Sequence, residues 1–595
     1  MIKQITILVA LFITFTITAQ KQAKEIDAFI KELDQKIPQL LNDFIVPGTA
    51  IAIIENGEII LQKGYGFSDL DKKTKVTTTT GFNIGSISKT IAAWGVMKLV
   101  QEGKIGLDDP AEKYLSRWHL PESEFDTDQV TIRRLLSHTA GLSLHGYPGW
   151  SPKDTLPSLE ESLDGKNNGP GRVEIIMEPG TKWKYSGGGF SMLQLIIEEV
   201  TGEKFEEYMQ AEILNPLGMT NSSYTINDTI LKASALEYNN FGEEIDFELF
   251  TAQAAAGLHT NIIDFTKFAQ ASLYASKQNK KQQILSSSNL EQMMEPAPAS
   301  NGRYGLGYQV DSISGTSMVL RGHGGANSGW HAFLRVNPVT NDGFIMVTNG
   351  GAGHNIYRQV FCDWVFWKTG ESMGNRCNIV PSIANKLKQI IDKKGNKTIA
   401  ADYAELKKNQ GDTYNFSENQ LNRLGYHYLS KEQVDNALAI FKLNLDTFPK
   451  SSNVYDSYGE ALLKSGDKEG AIKNYLKSVE LNPGNEGGIK VLNDLGVQTK
   501  GLSKEFSVDE KVLETYVGKY ELSPDFVITV TKNGPQMIAQ ATGQGEFEIY
   551  PRSEHVFYLT VVEAQITFNL NAKGQVESMT LLQGGQEQTG LKLKE

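Results

Sequence analysis

Two cysteines, Cys362 and Cys377, are all that this chain of 595 residues contains, which excludes a framework of several disulfides. The two can close one short loop or remain free thiols. Their spacing decides neither, because bridging depends on Cβ geometry. Nine histidines are scattered without ligand spacing and no His-Glu-x-x-His occurs, so neither a metal nor any other cofactor is expected. Basic residues are outnumbered, 58 Lys and Arg against 70 Asp and Glu, for a net charge of −12. That balance argues against nucleic acid or an anionic membrane as partner, since both need a basic surface. No run of like charges is long enough to form a tail. After the first twenty residues no stretch is apolar enough to span a bilayer.

What is present begins with an export signature. Lys3 supplies a positive start, Ile5 to Ile17 an apolar run, and Ile17-Thr18-Ala19 a small-residue cleavage site. The apolar run is shorter than the roughly 20 residues of a spanning helix. No cysteine follows it to carry a lipid. The expectation is a signal peptide over residues 1–19, removed to leave a periplasmic or secreted protein without a stable membrane anchor.

Three regions follow. In residues 23–372 short apolar runs alternate with helical spacing. Thr49 to Gly64 reads as a hairpin turning at Asn56-Gly57. The stretch from Ser86 to Gly103 has the apolar spacing of a helix, and three strand-like runs end at Thr348. Helices beside an antiparallel sheet fit this mixture. Residues 381–497 contain an internal repeat. Gly425 and Gly459, Ala437 and Ala471, Phe441 and Tyr475, and Pro449 and Pro483 share one offset, a pattern that resembles the tetratricopeptide repeat. It predicts units at about 418–451 and 452–485. Residues 506–595 are strand-rich, with turns at Asn533-Gly534 and Lys573-Gly574, and predict a small antiparallel β domain.

Chemistry is suggested at three places. In Ser86-Ile-Ser-Lys89 the serine needs a base, and residues three apart share a helix face, so Lys89 can reach the Ser86 hydroxyl. The same four-residue pattern recurs from Ser465 to Lys468, in a turn between repeat helices where no chemistry is expected. Tyr185-Ser186-Gly187 offers a phenol that acts as a base only if a cation such as Lys89 lowers its pKa. His323-Gly324-Gly325 lies between two strand-like runs, where glycines let a substrate approach backbone N–H groups. Each motif alone has an ordinary structural explanation.

Their order, with Leu135-Leu-Ser-His138-Thr-Ala-Gly-Leu142, Ala254-Ala-Ala-Gly-Leu258 and Tyr304-Gly-Leu-Gly-Tyr308 around them, resembles the class C β-lactamases, the D-alanyl-D-alanine carboxypeptidases and the family VIII esterases. Serine hydrolases of this family with a tetratricopeptide segment are also known. The resemblance implies an α+β domain of β-lactamase/penicillin-binding-protein type, followed by helical repeats and the small β domain. It implies Ser86 as the acylated nucleophile, Lys89 as its base and Tyr185 as proton shuttle. It puts His323, Gly324, Gly325 and Ala326 against the substrate, with the Ser86 and Ala326 N–H groups as the oxyanion hole. His138 is read as a packing or hydrogen-bonding residue. Two departures bear on substrate: Gly187 stands where many relatives have asparagine, and His323 where penicillin-recognising relatives have lysine. The Ser-Asp-Asn pattern of class A enzymes is not evident. The expected reaction is hydrolysis of small esters, or of amides and peptides with D-amino acids, with β-lactams as weak substrates. A rival reading is a non-turnover β-lactam or peptide sensor or scaffold. In either, the repeats dock a protein partner or cover the cleft.

Overall fold

Asn56 and Gly57 both adopt left-handed backbone (φ 51° and 86°), the turn whose twist matches two antiparallel strands. The hairpin they close, Gly48–Glu55 with Glu58–Asp69, lies in the seven-stranded sheet of a computed structural model. The structure describes residues 24–166, 171–273, 284–313, 315–499, 507–523, 526–542, 544–559, 561–562, 564–571, 573–583 and 586–593. The expected signal peptide, residues 1–19, lies outside the described residues. The chain divides into two compact units, Met1–Ile379 and Val380–Glu595.

In the first unit the sheet order is Thr74–Lys75, Glu58–Asp69, Gly48–Glu55, Asp342–Thr348, His331–Asn337, Val319–Ala326, Gln309–Ser312, and every pairing is antiparallel. Side chains alternate across a strand, and the two central strands are buried on both faces. Ala50, Ala52 and Ile54 enter one core with Ile87, Ile91 and Trp94 of the helix Ile87–Gln101. Ile51 and Ile53 enter another with Leu33 and Ile37, from a helix over 24–44, and Val360 and Trp364 of Gly353–Thr369. Two-sided burial explains the near-continuous apolar run Ala50 to Ile54. Cys362 and Cys377 are joined by a disulfide, which resolves the alternative that spacing left open.

The second unit corrects the expected fold class. Its helices, Ile383–Lys394 to Glu486–Asp494, are followed by eight strands from Gly518–Ser523 to Gln586–Lys592. Each strand pairs with the next, and the last returns to the first through Tyr520 with Lys592 and Glu521 with Leu591. This is a closed eight-stranded barrel of antiparallel strands, which replaces the small β domain expected after helical repeats. Closure rests on a pairing of residues some seventy apart, which local alternation does not encode. A tetratricopeptide array is not shown. The repeated residues make the same contact inside two helix hairpins: a Cβ on Gly425 would overlap the Phe441 ring, and one on Gly459 would sit 3.2 Å from Tyr475. A small residue facing an aromatic explains the spacing within each hairpin.

Candidate active site

Ser86 caps the helix Ile87–Gln101, so its hydroxyl sits at the positive end of fifteen aligned peptide dipoles. Gly85 makes this entry possible. It has φ +52°, and a Cβ there would lie 2.6 Å from the Ala326 backbone nitrogen. Gly325 is pressed equally hard, since a Cβ would collide with the Ile84 carbonyl. The loop leading into Ser86 is therefore packed against the end of the strand Val319–Ala326, which puts the Ala326 amide beside the residue preceding Ser86.

One turn into the helix, Lys89 is 2% exposed. Its Nζ donates to Ser86 Oγ at 3.2 Å and to the Ala255 carbonyl at 2.7 Å. Burial alone lowers its pKa to about 7, because no carboxylate stands beside the charge. A lysine amine is thus neutral in about half the molecules at neutral pH, next to a serine hydroxyl.

Tyr185 brings its ring to 5.0 Å from Lys89 Nζ. Its hydroxyl is buried and makes no hydrogen bond of normal geometry among the described residues; the Ser86 hydroxyl beside it only partly offsets the effect of burial. Burial therefore raises the Tyr185 pKa well above 10, opposite to the lowering expected from a neighbouring cation. The physical reason is desolvation: the buried site penalises the phenolate more than the neighbouring Ser86 hydroxyl relieves it. Tyr185 is a neutral phenol here, a proton donor rather than a phenolate.

His323 is 2% exposed and turned away from the role of a cation. Its Nδ1 donates to the Gly324 carbonyl at 2.5 Å, which leaves Nε2 to accept from the Tyr304 hydroxyl at 3.0 Å. Burial holds this imidazole down to about 3. His138 accepts the Ser186 amide on Nδ1 at 3.1 Å, and burial together with Lys89 keeps it neutral as well. Its ring lies 4.2 Å from that of Tyr185, so it braces the phenol as a packing residue. Trp183, at 38% exposure, and His145 stand on the open side of Tyr185, with ring centroids 6.3 and 4.8 Å away.

Ser86, Lys89, Tyr185, His323 and the backbone of residues 324–326 therefore lie together. Sequence reasoning gave no role to Ala255, Tyr304 or Trp183. Ala255 acts through a carbonyl, which every residue type carries. Tyr304 stood in a flanking motif without a role.

A family model described as Beta-lactamase matches residues 33–358, more than half of the chain. The chain belongs to the beta-lactamase family. A second model, a domain of unknown function (DUF3471), matches residues 502–592, the stretch that holds the barrel. Protein flp of Staphylococcus aureus (strain MRSA252) is 28% identical over 331 residues, 54% of this chain and 62% of its own length. The chain thus spans about three-fifths of that relative. PbpX of Bacillus subtilis (strain 168) is 30% identical over 299 residues, 49% of this chain and 69% of its own. Among solved structures, the octameric penicillin-binding protein homologue from Pyrococcus abyssi aligns at TM-score 0.47 and 18% identity. That alignment covers 95% of this chain and all of the other. SurE with D-Leu aligns at 0.49 and 16%, covering 96% and all of the other. For this beta-lactamase family member, no helix among the described residues is long and apolar enough to cross a membrane.

Proposed function

We propose that this protein is an exported serine hydrolase working by double displacement through an acyl-enzyme on Ser86. One observation carries the reading: a buried amine held near neutrality, 3.2 Å from a serine hydroxyl at a helix N-terminus. Neutral Lys89 takes the hydroxyl proton as Ser86 attacks a carbonyl, and the electron pair moves onto the carbonyl oxygen. The Ser86 and Ala326 N–H groups receive that oxyanion. Neutral Tyr185 relays a proton to the leaving group, and water then releases the acyl group by the reverse path.

The substrate class follows from charge. His323 is an uncharged acceptor of the Tyr304 hydroxyl, so the place of a carboxylate-binding cation is neutral. Small esters, or amides and peptides with D-amino acids, suit that wall better than substrates bound through a carboxylate, and β-lactams turn over weakly. The site of action is outside the cytoplasm, after removal of residues 1–19.

Intact-mass time courses with a p-nitrophenyl ester and a fluorescent penicillin test this on wild type and Ser86→Ala. A serine-dependent adduct that forms and decays with product release, faster for the ester, is expected. A persistent adduct would favour a non-turnover sensor, and no adduct with either reagent would overturn the assignment of Ser86.

A further inference from the structure

Asn83 has no place in the three motifs, yet it is 1% exposed and all its amide contacts are used. Its Oδ1 accepts the Gly85 amide at 2.7 Å and the Asn327 Nδ2 at 2.8 Å. Its Nδ2 donates to the Ala256 carbonyl at 3.1 Å and to His259 Nε2 at 3.2 Å. Two acceptor and two donor contacts are the full capacity of a primary amide. Three of these partners are immediate neighbours of the groups that act. Gly85 precedes Ser86, Asn327 follows Ala326, and Ala256 follows the carbonyl that holds Lys89.

We infer that Asn83 is a positioning residue that locks the nucleophile, the oxyanion strand end and the acceptor of Lys89 into one frame; this rests on the hydrolase reading above. These three segments come from separate parts of the chain, and a single side chain bonds to all of them. Backbone hydrogen bonds support the same frame, Ile84 N to Leu258 O at 3.1 Å and Asn327 N to Trp330 O at 2.9 Å, but neither joins all three. His259 completes the arrangement. Its Nε2 accepts from Asn83, and its ring stacks on Phe247 with centroids 4.9 Å apart. Because both amide ends are used, no other residue of similar size reproduces the pattern. Aspartate keeps the two acceptor contacts and loses both donor ones, while leucine keeps none.

The test compares wild type, Asn83→Asp, Asn83→Leu and Asn327→Ala in the full chain. Three quantities are read: kcat and KM for p-nitrophenyl butyrate, the pH dependence of Ser86 labelling by a fluorophosphonate, and the melting midpoint. Loss of alignment at a reacting centre costs about 100-fold. Asn83→Asp and Asn83→Leu are expected to lose about that in kcat and in labelling, with KM within about threefold. The labelling midpoint should also move to higher pH as water reaches Lys89. Asn327→Ala cuts one contact from the partly exposed side and is expected to lose about tenfold, so it decides the matter if the Asn83 variants do not fold. Folded variants with kcat, labelling and pH midpoint within twofold of wild type would overturn the inference, even if they melt earlier. Wild type that neither turns over the ester nor labels at Ser86 would remove the hydrolase reading, and this inference with it.

Discussion

Lys89 links stability and function at a single residue. In the unfolded chain its proton leaves near 10.5, and in the folded protein near 7 because burial disfavours the charge. Between those values the unfolded state binds more protons, so stability rises with pH from about 7 to about 10.5. Below pH 7 the full cost of the buried charge remains, on the order of 5 kcal/mol. Lys89→Met is therefore expected to raise the denaturation midpoint at pH 7 while abolishing turnover. A lowered midpoint would show that the amine's contact with Ala255 outweighs its desolvation. Tyr185→Phe removes the proposed proton relay and is expected to cost about 10²–10⁴-fold in kcat. The histidines of the site add no titration of their own in this range, since burial keeps His138, His259 and His323 far below 6.5.

At the scale of elements, local sequence is informative where a backbone conformation is demanded and silent where a distant partner decides. Ser86-x-x-Lys89 and Ser465-x-x-Lys468 are spelled alike, and the chain around them separates them. Ser86 opens a helix that contains Lys89, whereas Ser465 closes one helix and Lys468 opens the next across Gly466, at φ +91°. Ser465 accordingly donates back to the Leu462 carbonyl at 2.7 Å instead of meeting a lysine. Gly85→Ala tests the entry to the helix Ile87–Gln101. It meets both a left-handed backbone and the Ala326 nitrogen, so it is expected to cost about 1–3 kcal/mol of stability. Ser86 labelling should slow with it; a variant that labels at the wild-type rate would contradict the close packing of loop on strand. The hairpin at Asn56-Gly57 and the glycine–aromatic pairs were legible for the same reason, namely that small residues were required at those points. The closed barrel was not, because its first and last strands are matched only in space.

For the molecule as a whole, the motif order carried the first unit and its family, while the second unit needed the fold itself. Ser86, Lys89, Tyr185 and His323 are identifiable from residue types, because each supplies a functional group that few others share. Ala255 contributes a carbonyl, Asn83 a hydrogen-bond hub, and neither has a spelling that predicts it. The neutrality of His323 and the raised pKa of Tyr185 come from burial, which no local pattern states. The division into two units has its own consequence. Cys362 and Cys377 close a loop of fifteen residues within the first unit, and such a loop contributes about 3 kcal/mol. Calorimetry of Cys377→Ser is expected to lower the transition of that unit and leave that of the barrel unit in place. Equal shifts in both would mean that the two unfold as one.

The central claim is that Lys89, neutral because it is buried, activates Ser86. The most direct test is the rate of Ser86 acylation as a function of pH. The account predicts a rise with a midpoint near 7 that disappears in Lys89→Met. A rate that is flat across that range, or a rise that persists in Lys89→Met, would contradict it.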